Sequence, residues 1–390
     1  MKKFLAMLLV LVTALTLCAC GGSTPKSNAD YRVAMVTGLG DITDQSFNQA
    51  TWEALKQFSA SYNADIQYFM PSTDDNAARI AATEQAIAAG YNVIVFPGYT
   101  HGATIAEISG NYPNVKFIAL DVAAGNILET AVPNKGQTYD FNPDNWNLNE
   151  YAYMDNVYCA TYQEQVSGYL AGYAAVKLGY TKLGYLGGME VPSVTRFGYG
   201  FIQGADVAAQ ELGVNVEMKY AYANQFFGDP DITAAMDTWY NGNTEVVFSC
   251  GAAVWTSVAE AAKKAGGKMI GVDVDQSATI DGSYGAGMTL TSAMKGLTPT
   301  TYDTLVDVLV NGNWSNYAGK IVALGIRSEK PEENYVQLAP TTRFEEGKFS
   351  YDDYCTLVSA LYKGEVTVSD DLSAQPATTN VTVNWLGSIK

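Results

Sequence analysis

The chain has 390 residues, with 40 Asp and Glu against 23 Lys and Arg and a formal net charge of −17. That length predicts two or three domains, and 48% hydrophobic residues are enough to bury sizeable cores, which excludes an intrinsically disordered protein. No basic stripe occurs, which excludes a nucleic-acid surface, and a single histidine, His101, excludes any His-rich metal centre.

Lys2 and Lys3 precede an apolar run, Phe4 to Leu17, which at 14 residues is too short to span a bilayer. Leu17-Cys18-Ala19-Cys20-Gly21 then resembles a bacterial lipobox. The resemblance implies a signal peptide over 1–19 and a lipid on Cys20; an ordinary secretory signal is the alternative. Residues 20–30 hold the lipidated cysteine and a flexible tether (GGSTPKSN over 21–28). Cys159, Cys250 and Cys355 remain, too widely spaced for a zinc site or a disulfide framework.

From residue 31 short apolar runs alternate with helical patterns. Strands are expected at 31–37, 65–70, 92–96 and 115–120, with helices at 44–62, 75–89 and 101–111. The stretch 121–157 breaks the rhythm, and 133–156, rich in Pro, Asn, Asp, Tyr and Gly, reads as an insertion with a hairpin at a cleft mouth. Alternation restarts with a helix at 163–178, where Gly168 and Gly172 share a face and permit close packing. Strands at 182–186, 214–220, 245–249 and 268–272 and helices at 195–212, 230–240 and 254–265 follow. A Gly-rich segment precedes a short strand at 288–291 and a helix at 299–310. Two further strands (321–326, 335–338), a helix at 352–362 and a tail of short strand and loop complete the chain. Such alternation means βαβ units and parallel sheets with helices on both faces.

Catalytic motifs are missing. No G-x-x-x-x-G-K-[ST] run and no G-x-S-x-G run occurs, so neither that nucleotide triphosphatase site nor that serine elbow is present. Carboxylates remain plentiful. The stretch 41–49 (DITDQSFNQ) lies between the first strand and its helix. Asp44 or Ser46 can cap that helix, and Ser46-x-x-Gln49 fits a capping box. Phe47 then falls at the carboxyl edge of the sheet, where ligands bind in open α/β folds; the plainer role is a hydrophobic staple. Asp121 and Asp273 each follow a strand, and Phe226-Phe227 precede Gly228-Asp229-Pro230. Singly, such an Asp is a turn or cap residue. Together they describe a cleft, in which aromatic faces sandwich a flat ring and carboxylates accept hydroxyl or ring N–H donors.

The run TGLGDITDQSFNQATWEAL (37–55) resembles the opening of the basic-membrane-protein family of solute-binding lipoproteins, some of which are purine nucleoside receptors. FIALD (117–121), YQEQVSGYLAGYAA (162–175), GGME (187–190), FGDP (227–230), IGVDVDQ (270–276) and LTSAMKG (290–296) continue the likeness in order. The resemblance implies the two-lobed type I periplasmic-binding-protein fold, each lobe a parallel sheet with helices on both faces and the ligand cleft between them. On this pattern the first lobe is 31–157 with about 283–318, and the second is 158–282 with about 319–345. Residues 346–390 then form a C-terminal helix and tail.

The resemblance also implies a base stacked between Phe47 and Phe227, or Phe226 because one residue is inserted, with polar contacts from Asn48, Asp121, Asp273 and Lys295. It implies no catalytic residue, no metal and no cofactor. The partners would be a nucleoside, an ABC permease and a separate ATPase subunit. The protein would be held on the extracytoplasmic face of the cell membrane by its lipid. The rival functions are a cell-surface nucleoside hydrolase or other carboxylate-based enzyme, a signalling receptor, and a binder of a sugar or other small solute. Three features depart from the family pattern. Gly38 stands where an Asp is expected, CGAAVW (250–255) replaces a glycine-rich turn, and the 133–156 insertion is unusual. A carboxylate restored at 38 is expected to sharpen preference for a purine.

Overall fold

The computed structural model describes residues 31–38 and 40–390. The expected signal peptide, Cys20 lipidation site and tether lie outside the described residues.

The chain runs β1 (Tyr31–Val36), α1 (Phe47–Tyr62), β2 (Ala64–Phe69), α2 (Asn76–Ala88), β3 (Val93–Pro97), α3 (His101–Ile108), β4 (Lys116–Leu120), α4 (Ala124–Asn134) and β5 (Val157–Tyr162). It continues with α5 (Glu164–Lys177), β6 (Lys182–Gly187), α6 (Pro192–Leu212), β7 (Val216–Tyr222), α7 (Pro230–Asn241), β8 (Val246–Cys250), α8 (Trp255–Ala265), β9 (Lys268–Asp273) and α9 (Ser277–Tyr284). The remainder is β10 (Thr289–Lys295), α10 (Leu297–Leu305), β11 (Lys320–Leu324), β12 (Val336–Leu338), α11 (Tyr351–Tyr362) and β13 (Val381–Ser388).

Two sheets result. The first has the order β11-β5-β4-β3-β1-β2 and is parallel throughout. The second has the order β12-β10-β9-β8-β6-β7-β13 and is antiparallel only at β12. Side chains alternate across each strand. On β1, Val33 and Met35 enter one core while Ala34 and Val36 enter another on the opposite face. Both faces are buried at the inner strands β1, β3 and β4, as a parallel sheet covered by helices requires.

The strand partners correct the lobe boundaries. On sequence alone 283–318 belongs to the first lobe, but β10 pairs with β9 in the second sheet. The short α9 crossover delivers it there as a buried neighbour of the preceding strand. Conversely, β5 and β11 lie in the first sheet, although 158–282 and 319–345 were the expected second lobe. The chain therefore passes between sheets after β5, after β10 and after β11. Helix α10 returns to the first lobe and packs on α1, where Thr298 Oγ1 donates to the Ala50 carbonyl at 3.1 Å.

Of residues 133–156 the first two end α4, and the rest form turns and a four-residue helix, Leu148–Tyr151, and not a hairpin. Their aromatics cluster on α4, and Asn156 Nδ2 ties the segment to the carbonyls of Ser109 and Tyr112. Turn residues alone suggest a strand pair; local aromatic packing replaces it. The tail is more regular than expected. Asp206 Oδ1 accepts the N–H groups of Thr379, Asn380 and Val381, and β13 then covers the exposed edge of β7.

Helix α5 is buried on nearly every side and crosses α6 at close range. A methyl at 168 would lie 2.1 Å from the Phe197 carbonyl oxygen, and one at 204 would lie 2.0 Å from that of Tyr169. Ala normally gains about 1 kcal/mol over Gly in a helix, but no backbone can yield that much space. Gly168→Ala should therefore destabilise the protein by roughly 1–3 kcal/mol, as overpacking does. Gly282→Ala, at an exposed helical position with open space around it, should stabilise by about 0.4–1 kcal/mol. Thermal melts of the two variants check both signs. A Gly168→Ala protein that melts at or above the parent contradicts the tight crossing.

Candidate functional site

The carboxyl edges of both sheets face each other across one cavity of about 330 Å³. Every predicted ligand-binding residue lines it. Phe47 and Asn48 open α1 after β1, Asp121 follows β4, Asp273 ends β9 and Lys295 ends β10. Phe226 and Phe227 occupy the loop between β7 and α7. Parallel strands gather these groups because every loop at a carboxyl edge points the same way.

The start of α1 differs from the expected capping box. Ser46 stands at the N-cap but makes no capping bond. Asp44 does the work instead, accepting the N–H groups of Ser46 at 2.9 Å, Asn48 at 3.0 Å and Gln49 at 3.0 Å. Gln49 Oε1 accepts from the Gln45 N–H at 3.1 Å. Ser46 is thereby released to donate across the cleft to Asp273 Oδ2 at 2.6 Å. Gln45 also bridges the lobes. Its carbonyl accepts from Gln276 Nε2 at 3.2 Å, and its Oε1 accepts from Thr279 Oγ1 at 2.8 Å.

Behind the cavity lies a buried charge cluster. Lys295 Nζ contacts Asp121 Oδ2 at 2.9 Å and Glu164 Oε1 at 3.1 Å. Arg196 Nε holds the other Glu164 oxygen at 2.6 Å. Lys295 is 3% exposed and Asp121 7%. Burial pushes the Asp121 carboxyl up, but Lys295 and then Arg196 outweigh it and hold it below the ordinary 3.8. Burial pulls the Lys295 ammonium down, while Asp121, Glu164 and Asp273 together hold it above its ordinary value. Burial raises both Glu164 and Asp273, against the opposing pull of Lys295. The ammonium also sits 4.9 Å from the Phe47 ring centroid and 5.4 Å from that of Phe197. It fixes Phe47 to the charged floor.

Asp121 and Asp273 share a second property. Their φ values are +62° and +66°, in the left-handed region that Asp tolerates better than most residues. Each turns the chain sharply at a strand end and keeps its carboxyl at the cavity.

The aromatic wall is larger than the sequence suggests. Phe226 lies over Gly188, where a methyl would meet its ring at 2.6 Å, and it faces Tyr99 of the first lobe at 6.4 Å between centroids. Phe227 is 56% exposed, so its ring has a free face although it lines the cavity. Tyr99 escaped notice; its only signal was its place just past β3. Glu164 and Arg196 escaped as well: Glu164 stands two residues past β5, a strand that the sequence pattern did not mark, and Arg196 lies inside the first turns of α6. Ala252 holds φ +34°, close to a conformation that the expected glycine-rich turn would adopt freely. Gly38 does not leave room for a carboxylate. A Cβ there would lie 2.8 Å from the Pro97 carbonyl oxygen, so Gly38→Asp needs a backbone shift and is not a simple restoration.

Burial pushes the Cys250 thiol far up, away from the thiolate. Among the described residues no group of three His, Cys, Asp or Glu side chains is placed to hold a metal ion. No described helix is long and apolar enough to cross a membrane.

The family profile for PnrA-like ABC transporter substrate-binding proteins (Bmp) matches residues 31–340. The chain is 27% identical over 269 residues to the ABC transporter nucleoside-binding protein BmpA of Lactococcus lactis, covering 65% of this chain and 67% of that one. It is 25% identical over 321 residues to basic membrane protein B of Borreliella burgdorferi, covering 80% and 83% respectively. A solved ABC transporter solute-binding protein from Aeropyrum pernix shares the fold, with a TM-score of 0.66 at 19% identity over 88% of this chain and 94% of that one. Such proteins carry a solute and are not enzymes. The chain belongs to the Bmp family of PnrA-like ABC transporter substrate-binding proteins.

Proposed function

We propose that the cavity binds a nucleoside, with a purine as the first choice. The carrying observation is the pairing of aromatic and polar groups from both lobes around one cavity. Phe47 comes from the first lobe and Phe227 from the second, and Asp121, Asp273, Asn48 and Lys295 converge between them. A stacked base would be held by the rings, with Phe226 and Tyr99 closing the side. Ribose hydroxyls and ring N–H groups would donate to Asp121 and Asp273, while Lys295 donates in return. The volume sits at the small end of ligand pockets, roughly 300–1,000 Å³. The name of the Lactococcus lactis relative supports the same class of ligand.

In this reading the protein is anchored on the extracytoplasmic face through a lipid on Cys20. It captures the nucleoside, closes, and presents the closed form to an ABC permease powered by a separate ATPase chain. A ligand touching both lobes favours the closed form because only there does it make both sets of contacts.

Calorimetry against nucleosides, free bases and free sugars tests the ligand class. Nucleosides should bind and remain intact; release of base would mark a hydrolase, and binding of sugars alone would overturn the nucleoside reading. Phe47→Ala and Phe227→Ala should each weaken nucleoside binding about 5- to 150-fold, the range for a lost base–aromatic stack. Phe227→Ala should leave the melting temperature nearly unchanged, since its ring is largely exposed. If Phe226→Ala alone carries the loss, the stacking ring is Phe226. For the anchor, Cys20→Ala should abolish acyl labelling and release the protein from membranes; persistent labelling would place the lipid elsewhere.

A further inference from the structure

We propose that Lys390 is a positioning residue for the loop that carries Phe226 and Phe227, and so sets the aromatic wall of the cavity. This rests on the cavity being the ligand site. Strand β13 runs parallel to β7, with Trp385 seated 4.5 Å from the Tyr220 ring. Past it, the Ile389 N–H donates to the Tyr222 carbonyl at 2.8 Å. Residues 389 and 390 therefore lie alongside the loop that leaves β7. There the Lys390 ammonium pairs with Asp229, and it stands 3.5 Å from Asp231 Oδ2.

Asp229 is the junction. Its Oδ1 accepts the N–H groups of Asp231 at 3.0 Å and Ile232 at 2.9 Å, which starts α7. Its Oδ2 takes both Lys390 and Gln225 Nε2, the latter at 2.9 Å. The same Gln225 Nε2 donates to the Phe227 carbonyl at 2.8 Å. A continuous relay thus runs from Lys390 through Asp229 and Gln225 to the backbone of Phe227. The Ile232 N–H, then Lys390 and Gln225, hold the Asp229 carboxyl down at about 2, so the junction is charged at neutral pH.

The relay adds to the ties that hold this loop elsewhere, the Ala253 N–H on the Phe226 carbonyl at 3.0 Å and the Asp229 N–H on Ser257 Oγ at 2.9 Å. It is the tie that reaches the Phe227 carbonyl from a side chain, and the Phe227 ring itself is mostly exposed. The segment that supplies Lys390 lies beyond residue 340, where the family match ends.

A surface ion pair contributes little to global stability. Its expected signature is local. Lys390→Ala should speed hydrogen exchange at the amides of 224–228 while leaving β6 and β8 and the melting temperature unchanged. Nucleoside affinity should fall about 1.5- to 5-fold, the range for one exposed pair. Lys390→Arg should restore both. Asp229→Asn, which keeps a capping oxygen but loses the charge, should reproduce the effect, and the double variant should be no worse. Unchanged exchange at 224–228 in Lys390→Ala overturns the proposal. So does exchange that rises equally throughout β7 and β13, which would mean that Lys390 merely holds the sheet edge. Should the parent bind no nucleoside, the exchange experiment still decides the role of Lys390, and only the ligand reading falls.

Discussion

The buried ammonium of Lys295 is the constraint on which the two lobes depend. An isolated charge in that environment would be prohibitively costly, so it must be paired. Glu164 comes from the same lobe, at the start of α5, but Asp121 comes from the opposite sheet. If the cleft opened, Lys295 would keep Glu164, lose Asp121 and meet water. Removing one partner of a buried pair costs roughly 3–5 kcal/mol, and rehydration on opening would recover part of that. In the proposed carrier this pair would draw the lobes together without locking them. Ser46 on Asp273 and Gln45 on Gln276 and Thr279 add hydrogen bonds of the same cross-lobe kind.

The same cluster organises the wall of the cavity. Lys295 sits over Phe47, so the aromatic face and the charged floor form one unit. Asp121 and Asp273 reach that floor only by taking left-handed backbone conformations at the ends of β4 and β9. Strain of this kind persists where the surrounding structure holds it in place and the group it aims is used. On the other side Phe226 rests on glycines 188 and 251, whose missing side chains let a large ring lie directly against backbone. The rings are thus mounted differently. Phe47 is fixed by charge and core, whereas Phe227 is fixed mainly through its backbone.

Much of this was legible in the sequence for a simple reason. In parallel α/β folds, a residue just past an apolar run lies at the ligand edge whatever the details of packing. Phe47, Asp121, Asp273 and Lys295 were found that way or by motif, and all line the cavity. Non-local choices were not legible. The strand at 289–295 carries no mark of its sheet, since the alternation is the same in both, and only the α9 crossover places it. Ser46 and Asp44 both fit a cap; the cross-cleft pull of Asp273 on Ser46 decides between them. Helices α4 and α9 were hidden by breakers, a Pro at 133 and glycines at 282 and 285. The space at Gly38 depends on a carbonyl of β3, which no local pattern encodes.

A crystal structure of the protein with a purine nucleoside tests the central claim most directly. The account predicts the nucleoside in the interlobe cavity, its base between Phe47 and Phe227, with Asp273 and Lys295 within hydrogen-bond distance of its polar groups. A nucleoside bound outside this cavity at saturating concentration, or a base that touches neither phenylalanine, would contradict it.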